Sequence, residues 1–148
     1  MLQLHMYFRL RNLLPTDYRS VRDIFTDEFL GDGTSYLHLR TAWNTRERDL
    51  SLAAVSSSND LLGFSIVTGN FVEYLATHSH YIKKGIGSRI LKSVIHKSRM
   101  KKQAIHLYPM SQKKHLIEWY AKHGFRQTTG GYMNLHNYNT RSKASETS

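Results

Sequence analysis

Residues Leu75–Leu91 read LATHSHYIKKGIGSRIL, which divides into an extended half, a Lys83-Lys84-Gly85-Ile86-Gly87 turn and the opening of a helix. The first-turn N–H groups of a helix have no intrahelical partner, and the aligned peptide dipoles leave partial positive charge on them. A strand running into such a turn therefore predicts an anion site, and a pyrophosphate fits it. Gly85 and Gly87 let the backbone approach a ligand with no Cβ in the way. Lys83 and Lys84 add ordinary Coulombic attraction.

Spacing separates the kinds of phosphate turn. A P-loop needs Gly, four residues, then Gly-Lys-Ser/Thr, and a dinucleotide fingerprint needs Gly-x-Gly-x-x-Gly. Here Gly85-Ile86-Gly87-Ser88-Arg89-Ile90 puts isoleucine at the third glycine, so both fail. What remains resembles the acetyl-CoA signature of the GNAT superfamily of N-acetyltransferases. In that signature a strand ending roughly as Leu-Ala-Val-His-Pro-x-Tyr leads into Arg/Gln-x-x-Gly-x-Gly/Ala and a helix. Leu75, Ala76, His78, Tyr81, Gly85 and Gly87 match in register. Thr77, Ser79 and Ile82 depart from it, and Ile82 replaces the Arg or Gln that begins the cofactor motif. The resemblance implies acetyl-CoA as cofactor, held by Leu75, Ala76, Thr77, Ile82, Lys83, Lys84, Gly85, Ile86, Gly87 and Ser88.

Size and charge are consistent with such a protein. The chain has 148 residues, enough for one domain with a real core. It has no apolar run of membrane-spanning length, and Arg9 and Arg11 interrupt what would be the core of a signal peptide, so a soluble cytoplasmic protein is expected. It has no cysteine, which excludes disulfides, thiolate metal sites and an acyl-cysteine intermediate. The net charge of +10 is unevenly spread. Between Tyr74 and Ile117 there is no Asp or Glu, whereas Asp17, Asp23, Asp27, Glu28 and Asp32 outnumber Arg19 and Arg22 between Thr16 and Gly33. A basic half suits an anionic cofactor and an acidic entrance suits a cationic amine, although each charge taken singly is as readily a solvated surface residue.

Along the chain, Leu4, Met6, Phe8 and Leu10 alternate with polar neighbours and predict a first strand ended by Pro15. Thr16 is the expected N-cap of a helix from Asp17 to about Phe29, stopped by Gly31 and Gly33. Tyr36–Trp43 reads as a second short helix or an irregular segment. Leu50–Val55 and Leu61–Thr68 form a hairpin across a Ser-Ser-Ser-Asn-Asp turn, and Phe71–Thr77 is the next strand. Ile86, Ile90, Leu91, Val94 and Ile95 recur at helical spacing from Gly85 to about Met100, followed by a strand at Ala104–Tyr108. A helix over Lys113–His123 stops at Gly124-Phe125, and Tyr132–Tyr138 is a last strand. Residues 1–138 read as a single domain and 139–148 as a disordered polar tail. The expected class is α/β (α+β): as the resemblance implies, a mixed sheet, antiparallel at first and parallel across the cofactor motif, with helices on both faces.

Moving an acetyl group from a thioester to an amine needs a neutral amine, a polarised carbonyl and a protonated leaving thiol. Glu73 is the only acid between Asp60 and Glu118, on the strand that feeds the glycine turn. It is the candidate base, the alternative being a surface glutamate; water, or His78 as base or helper, could also serve. A backbone N–H near Thr77 would polarise the carbonyl. Trp119-Tyr120-Ala121-Lys122-His123-Gly124-Phe125 resembles the family's second signature, Phe/Leu-Tyr-x-x-x-Gly-Phe, which makes Tyr120 the candidate acid for the leaving thiolate, or else a core tyrosine packed with Leu116 and Ile117. Lys113 stands about where the family has asparagine. The nine histidines show no metal-ligand spacing, and no metal is expected.

The leading expectation is an acetyl-CoA-dependent N-acetyltransferase acting on a primary amine by direct attack in a ternary complex. A basic nucleic-acid-binding module and a catalytically weak GNAT-like interaction domain are the alternatives. A monomer and a homodimer are equally compatible with the sequence.

Overall fold

The computed structural model of the chain describes residues 7–29, 35–110 and 113–135. Expectations that fall on Leu4 to Met6, on Gly31 and Gly33, on the end of the last strand and on the tail lie outside them. The first strand, β1, is Phe8–Asn12. Helices α1 (Tyr18–Glu28) and α2 (Tyr36–Asn44) precede a meander of β2 (Leu52–Ser56), β3 (Leu61–Thr68) and β4 (Phe71–Thr77). After the glycine turn come α3 (Ile86–Met100), β5 (Ile105–Leu107), α4 (Lys114–Lys122), β6 (Arg126–Gln127) and β7 (Met133–Leu135).

These strands form one sheet in the order β1-β2-β3-β4-β5-β7-β6. Only β4 and β5 run parallel, because α3 returns the chain to the same end of the sheet; every other pair is antiparallel. Helices cover both faces. Ile86, Ile90, Leu91, Val94 and Ile95 of α3 are all buried and share one core with Val72, Leu107, Tyr120 and Phe125. Val21, Ile24 and Phe25 of α1, with Leu39 and Trp43 of α2, build the other core against Phe64, Ile66, Tyr74 and Ala76. β3 lies between them and is buried over all but its last residue, which is why it reads as a continuous apolar run. The expected mixed sheet with helices on both faces is the observed architecture.

Three local details differ from the sequence reading. Asp17, not Thr16, takes the N-cap position of α1, after a short turn at Pro15–Asp17. Its side chain caps no amide of α1; it reaches back to accept from the Leu14 N–H at 2.7 Å and pairs with Arg11 at 2.7 and 3.0 Å. β5 spans only three residues, since Pro109 has no N–H to extend the ladder. β6 is a two-residue strand paired to β7, too short to leave a periodic pattern. The tyrosine helix stops as read, with Gly124 at φ +99° and Phe125 buried behind it.

Candidate active site

The β4–β5 ladder holds at Phe71↔His106 and Val72↔Leu107 and then ends, while β4 runs on to Thr77. The two parallel strands part beyond that point, and the gap is the mouth of a cleft of about 680 Å³. Backbone direction within β4 follows from its pairing with β3. The His78 N–H donates to Leu62 O at 2.7 Å, so His78, Ala76 and Tyr74 turn their amides toward β3. By alternation, Leu75 and Thr77 turn theirs toward the gap. Their N–H and C=O groups face the cleft with no β5 strand to receive them.

At one end of the cleft, α3 begins. Gly85 is its N-cap at φ +82°, a left-handed conformation that glycine adopts without penalty, and no side chain caps the helix. Gly85, Ile86, Gly87 and Ser88 all line the cleft, so the uncapped amides of the first turn open into it. A Cβ on Gly87 would project toward Thr77 Oγ1 at 3.5 Å and the Trp119 ring at 3.9 Å, filling the floor. Ser88 is bonded at 3.1 Å to His123 Nε2, which ties the first turn of α3 to the end of α4. These residues fit a pyrophosphate carrier with an extended arm lying along β4. Leu75, Ala76, Thr77, Ile82 and Lys83 also line the cleft; of the expected cofactor residues only Lys84 does not.

Glu73 reaches the cleft through a defect in the sheet. Tyr74 pairs with Ile66 and Val72 with Val67, which leaves Glu73 as an extra residue on β4. Such a bulge turns a side chain out of strict alternation. Glu73 therefore shares the α1–α2 side of the sheet with Tyr74: its Oε1 accepts from Thr68 Oγ1 at 2.8 Å, and its Oε2 lies 3.8 Å from His38 Nε2. Tyr74 in turn is hydrogen-bonded to His38 Nδ1. Burial, and secondarily the Glu73 charge, push the Tyr74 phenol far up, so it stays protonated. Glu28 of α1 lines the same cleft, its carboxyl raised by burial and then by Asp27, against the opposing pull of His78 and Lys113.

Tyr120 enters from the opposite side of the sheet. It belongs to the α3–α4 core, edge-on to Phe125, and still lines the cleft. Burial alone pushes its phenol up to about 12. Tyr120 is thus a core residue that also lines the cleft. His78 is placed differently. Its Nδ1 accepts the His80 N–H at 3.2 Å and caps the turn Ser79–Tyr81, so its ring is committed to the backbone.

Residues 48–127, more than half of the chain, match the family model described as the acetyltransferase (GNAT) domain. The chain belongs to the GNAT family. No curated protein sequence gives a significant match. Solved GNAT structures share the fold. The ribosomal-protein-S18-alanine N-acetyltransferase from Escherichia coli is 18% identical over 89% of this chain and 95% of its own, with a TM-score of 0.73. Naa50 from Arabidopsis thaliana, in complex with the bisubstrate analogue CoA-Ac-MVNAL, is 18% identical over 86% of this chain and 95% of its own, with a TM-score of 0.68. YhbS from Escherichia coli, in complex with CoA, is 11% identical over 93% of this chain and 85% of its own, with a TM-score of 0.69. At these identities the likeness speaks for the GNAT fold.

Several cleft residues were not singled out from sequence: Phe29, Tyr108, His115 and Trp119. Trp119 had a signal, standing beside Tyr120 in the second GNAT signature. Tyr108 had none, because nothing local tells that β5 ends early; Glu28 was legible only as one acid of the acidic stretch, not as a residue over the gap.

Proposed function

We propose that the chain is an acetyl-CoA-dependent N-acetyltransferase that acts on a cationic primary amine by direct attack in a ternary complex. One observation carries the reading: a single gap between β4 and β5 is flanked by Glu73 on one side of the sheet and Tyr120 on the other, with the uncapped start of α3 at its end. Acetyl-CoA would supply an activated thioester. The first-turn amides of α3 and Lys83 would hold its phosphates, and the outward amides of Leu75 and Thr77 would orient its arm.

Glu28 and Glu73 would draw an ammonium group into the gap. Glu73 would then take the proton that an alkylammonium of pKa about 10.4 must lose before it can attack. The Thr77 N–H, rigid in the strand, is the candidate donor for the oxygen on which charge develops. Tyr120, protonated throughout the working range, would donate to the departing sulfur. A phenol held near 12 is a weaker acid than a thiol of roughly 8.5, so its part is a stabilising hydrogen bond rather than a completed proton transfer.

Calorimetric titration with acetyl-CoA, followed by turnover of spermidine, a lysine-containing peptide and a peptide with a free N-terminus, tests the reading. Saturable binding and acetylation of at least one amine are expected. Absence of binding at millimolar acetyl-CoA would sink it, and affinity only for nucleic acid, falling linearly in log salt, would replace it.

A further inference from the structure

We infer that His38 is the outlet for the proton that Glu73 removes, a relay on α2 that returns Glu73 to its carboxylate between turnovers. The inference rests on Glu73 acting as the base. His38 sits in the first turn of α2, where its own N–H is fixed to the Ser35 hydroxyl at 3.1 Å. Its ring stands edge-on to Tyr74 with centroids 5.7 Å apart and reaches from the Tyr74 hydroxyl to the Glu73 carboxylate. The two oxygens of Glu73 have separate tasks: Oε1 is anchored by Thr68, and Oε2 faces His38 Nε2 at 3.8 Å. That separation closes by a small rotation of the ring or through one water.

Exposure gives the path its direction. The Glu73 side chain is 21% exposed and the His38 side chain 54%, so a proton moving from one to the other moves toward solvent. Tyr74 keeps its own proton and so orients the ring without competing for the one in transit. The relay uses the tautomer whose Nδ1–H donates to the Tyr74 oxygen, since Nε2 then presents its lone pair to the protonated Glu73. Among the described residues, the arginines beside His38 are engaged with aromatic rings: Arg22 of α1 lies 4.4 Å over the Tyr36 ring and Arg40 lies 4.7 Å over the Tyr18 ring. β3 contributes no titratable residue, and among the described residues His38 meets Glu73 and Tyr74 on the sheet.

The steps balance. An N–H bond of the acceptor ammonium breaks as an O–H bond forms on Glu73, leaving neutral amine and carboxylic acid. That O–H breaks as an N–H forms on His38 Nε2, leaving carboxylate and imidazolium. The imidazolium releases its proton to buffer. His38 touches neither substrate nor cofactor here and is a relay, not a catalytic residue.

The test measures steady-state acetylation of the same three amines at low buffer concentration by wild type, His38→Ala, His38→Gln and Glu73→Gln. Both His38 variants should lose about tenfold in kcat, less than the hundredfold or more expected on losing the base, with the KM for acetyl-CoA within about twofold of wild type. Added imidazole should restore His38→Ala and leave Glu73→Gln unchanged. His38→Gln keeps a hydrogen bond to Tyr74 but cannot carry a proton, so it carries the test if the alanine variant fails to fold. Wild-type rates in both His38 variants, a full rate in His38→Gln alone, or loss without imidazole rescue would each overturn the relay while leaving the base intact. A full rate in Glu73→Gln, or a wild type that acetylates none of the amines, would overturn the base and the relay together.

Discussion

Glu73 and Tyr74 share one side of the sheet because of one unpaired position. Val72 faces the α3–α4 core, Glu73 and Tyr74 both face the α1–α2 side, and Thr68 anchors the Glu73 carboxylate there. Under the proposed mechanism, Glu73→Gln lowers kcat by about a hundredfold or more, because the amide cannot accept the proton. Tyr120→Phe costs only about tenfold, since a thiolate with a conjugate acid near pKa 8.5 already leaves well. Rates at saturating acetyl-CoA check both. Gly85 offers a different test. A methyl group there meets nothing within 4 Å, so Gly85→Ala acts through torsion alone at φ +82°. It should cost about 1 kcal/mol of stability and weaken acetyl-CoA binding several-fold, read by denaturation and by calorimetry.

Among the elements, the hairpin of β2 and β3 is completed by two side chains. The Ser65 hydroxyl accepts from the Leu52 N–H and donates to Leu50 O, both at 2.9 Å, and the Ser51 hydroxyl accepts from the Val67 N–H at 3.1 Å. Both serines are wholly buried, beyond the Ala53↔Phe64 end of the backbone ladder. Ser65→Ala strands a buried donor and a buried acceptor, so it should cost about 1–3 kcal/mol in urea denaturation with an unchanged m-value. This part of the fold was not legible in the sequence, because a serine inside an apolar run gives no sign of which backbone group it satisfies. α3 was legible almost to its ends, since each apolar residue in its repeat is buried. His38 was hidden for the opposite reason: the residues of α2 carry no clear period, and its link to Glu73 spans 35 positions in sequence. The glycine turn declared itself by spacing; the bulge that puts Glu73 and Tyr74 on one side depends on how two strands pair, which no single segment encodes.

Across the whole molecule, ionisation links the site to stability. Burial raises Tyr120 to about 12, and Tyr74 moves the same way, whereas an unfolded phenol titrates near pH 10. The folded state therefore binds more protons than the unfolded state at high pH. Its stability is fully present below pH 10 and falls as pH rises above it, by on the order of 2–3 kcal/mol through Tyr120 by pH 12. Tyr120→Phe should flatten that decline, as measured by denaturant midpoints at pH 9 and pH 11. Cofactor binding should act in the other sense at neutral pH, raising Tm with acetyl-CoA concentration.

The parting of β4 and β5 makes the sheet a partition with a slot in it. Under the proposed reading, each substrate has its own side to enter from and its own side to leave by, so neither blocks the other. Steady-state kinetics should then show intersecting lines, and free CoA should compete with acetyl-CoA but not with the amine. A long polypeptide amine would be threaded no deeper than a short one, because only its terminal nitrogen has to reach through the slot.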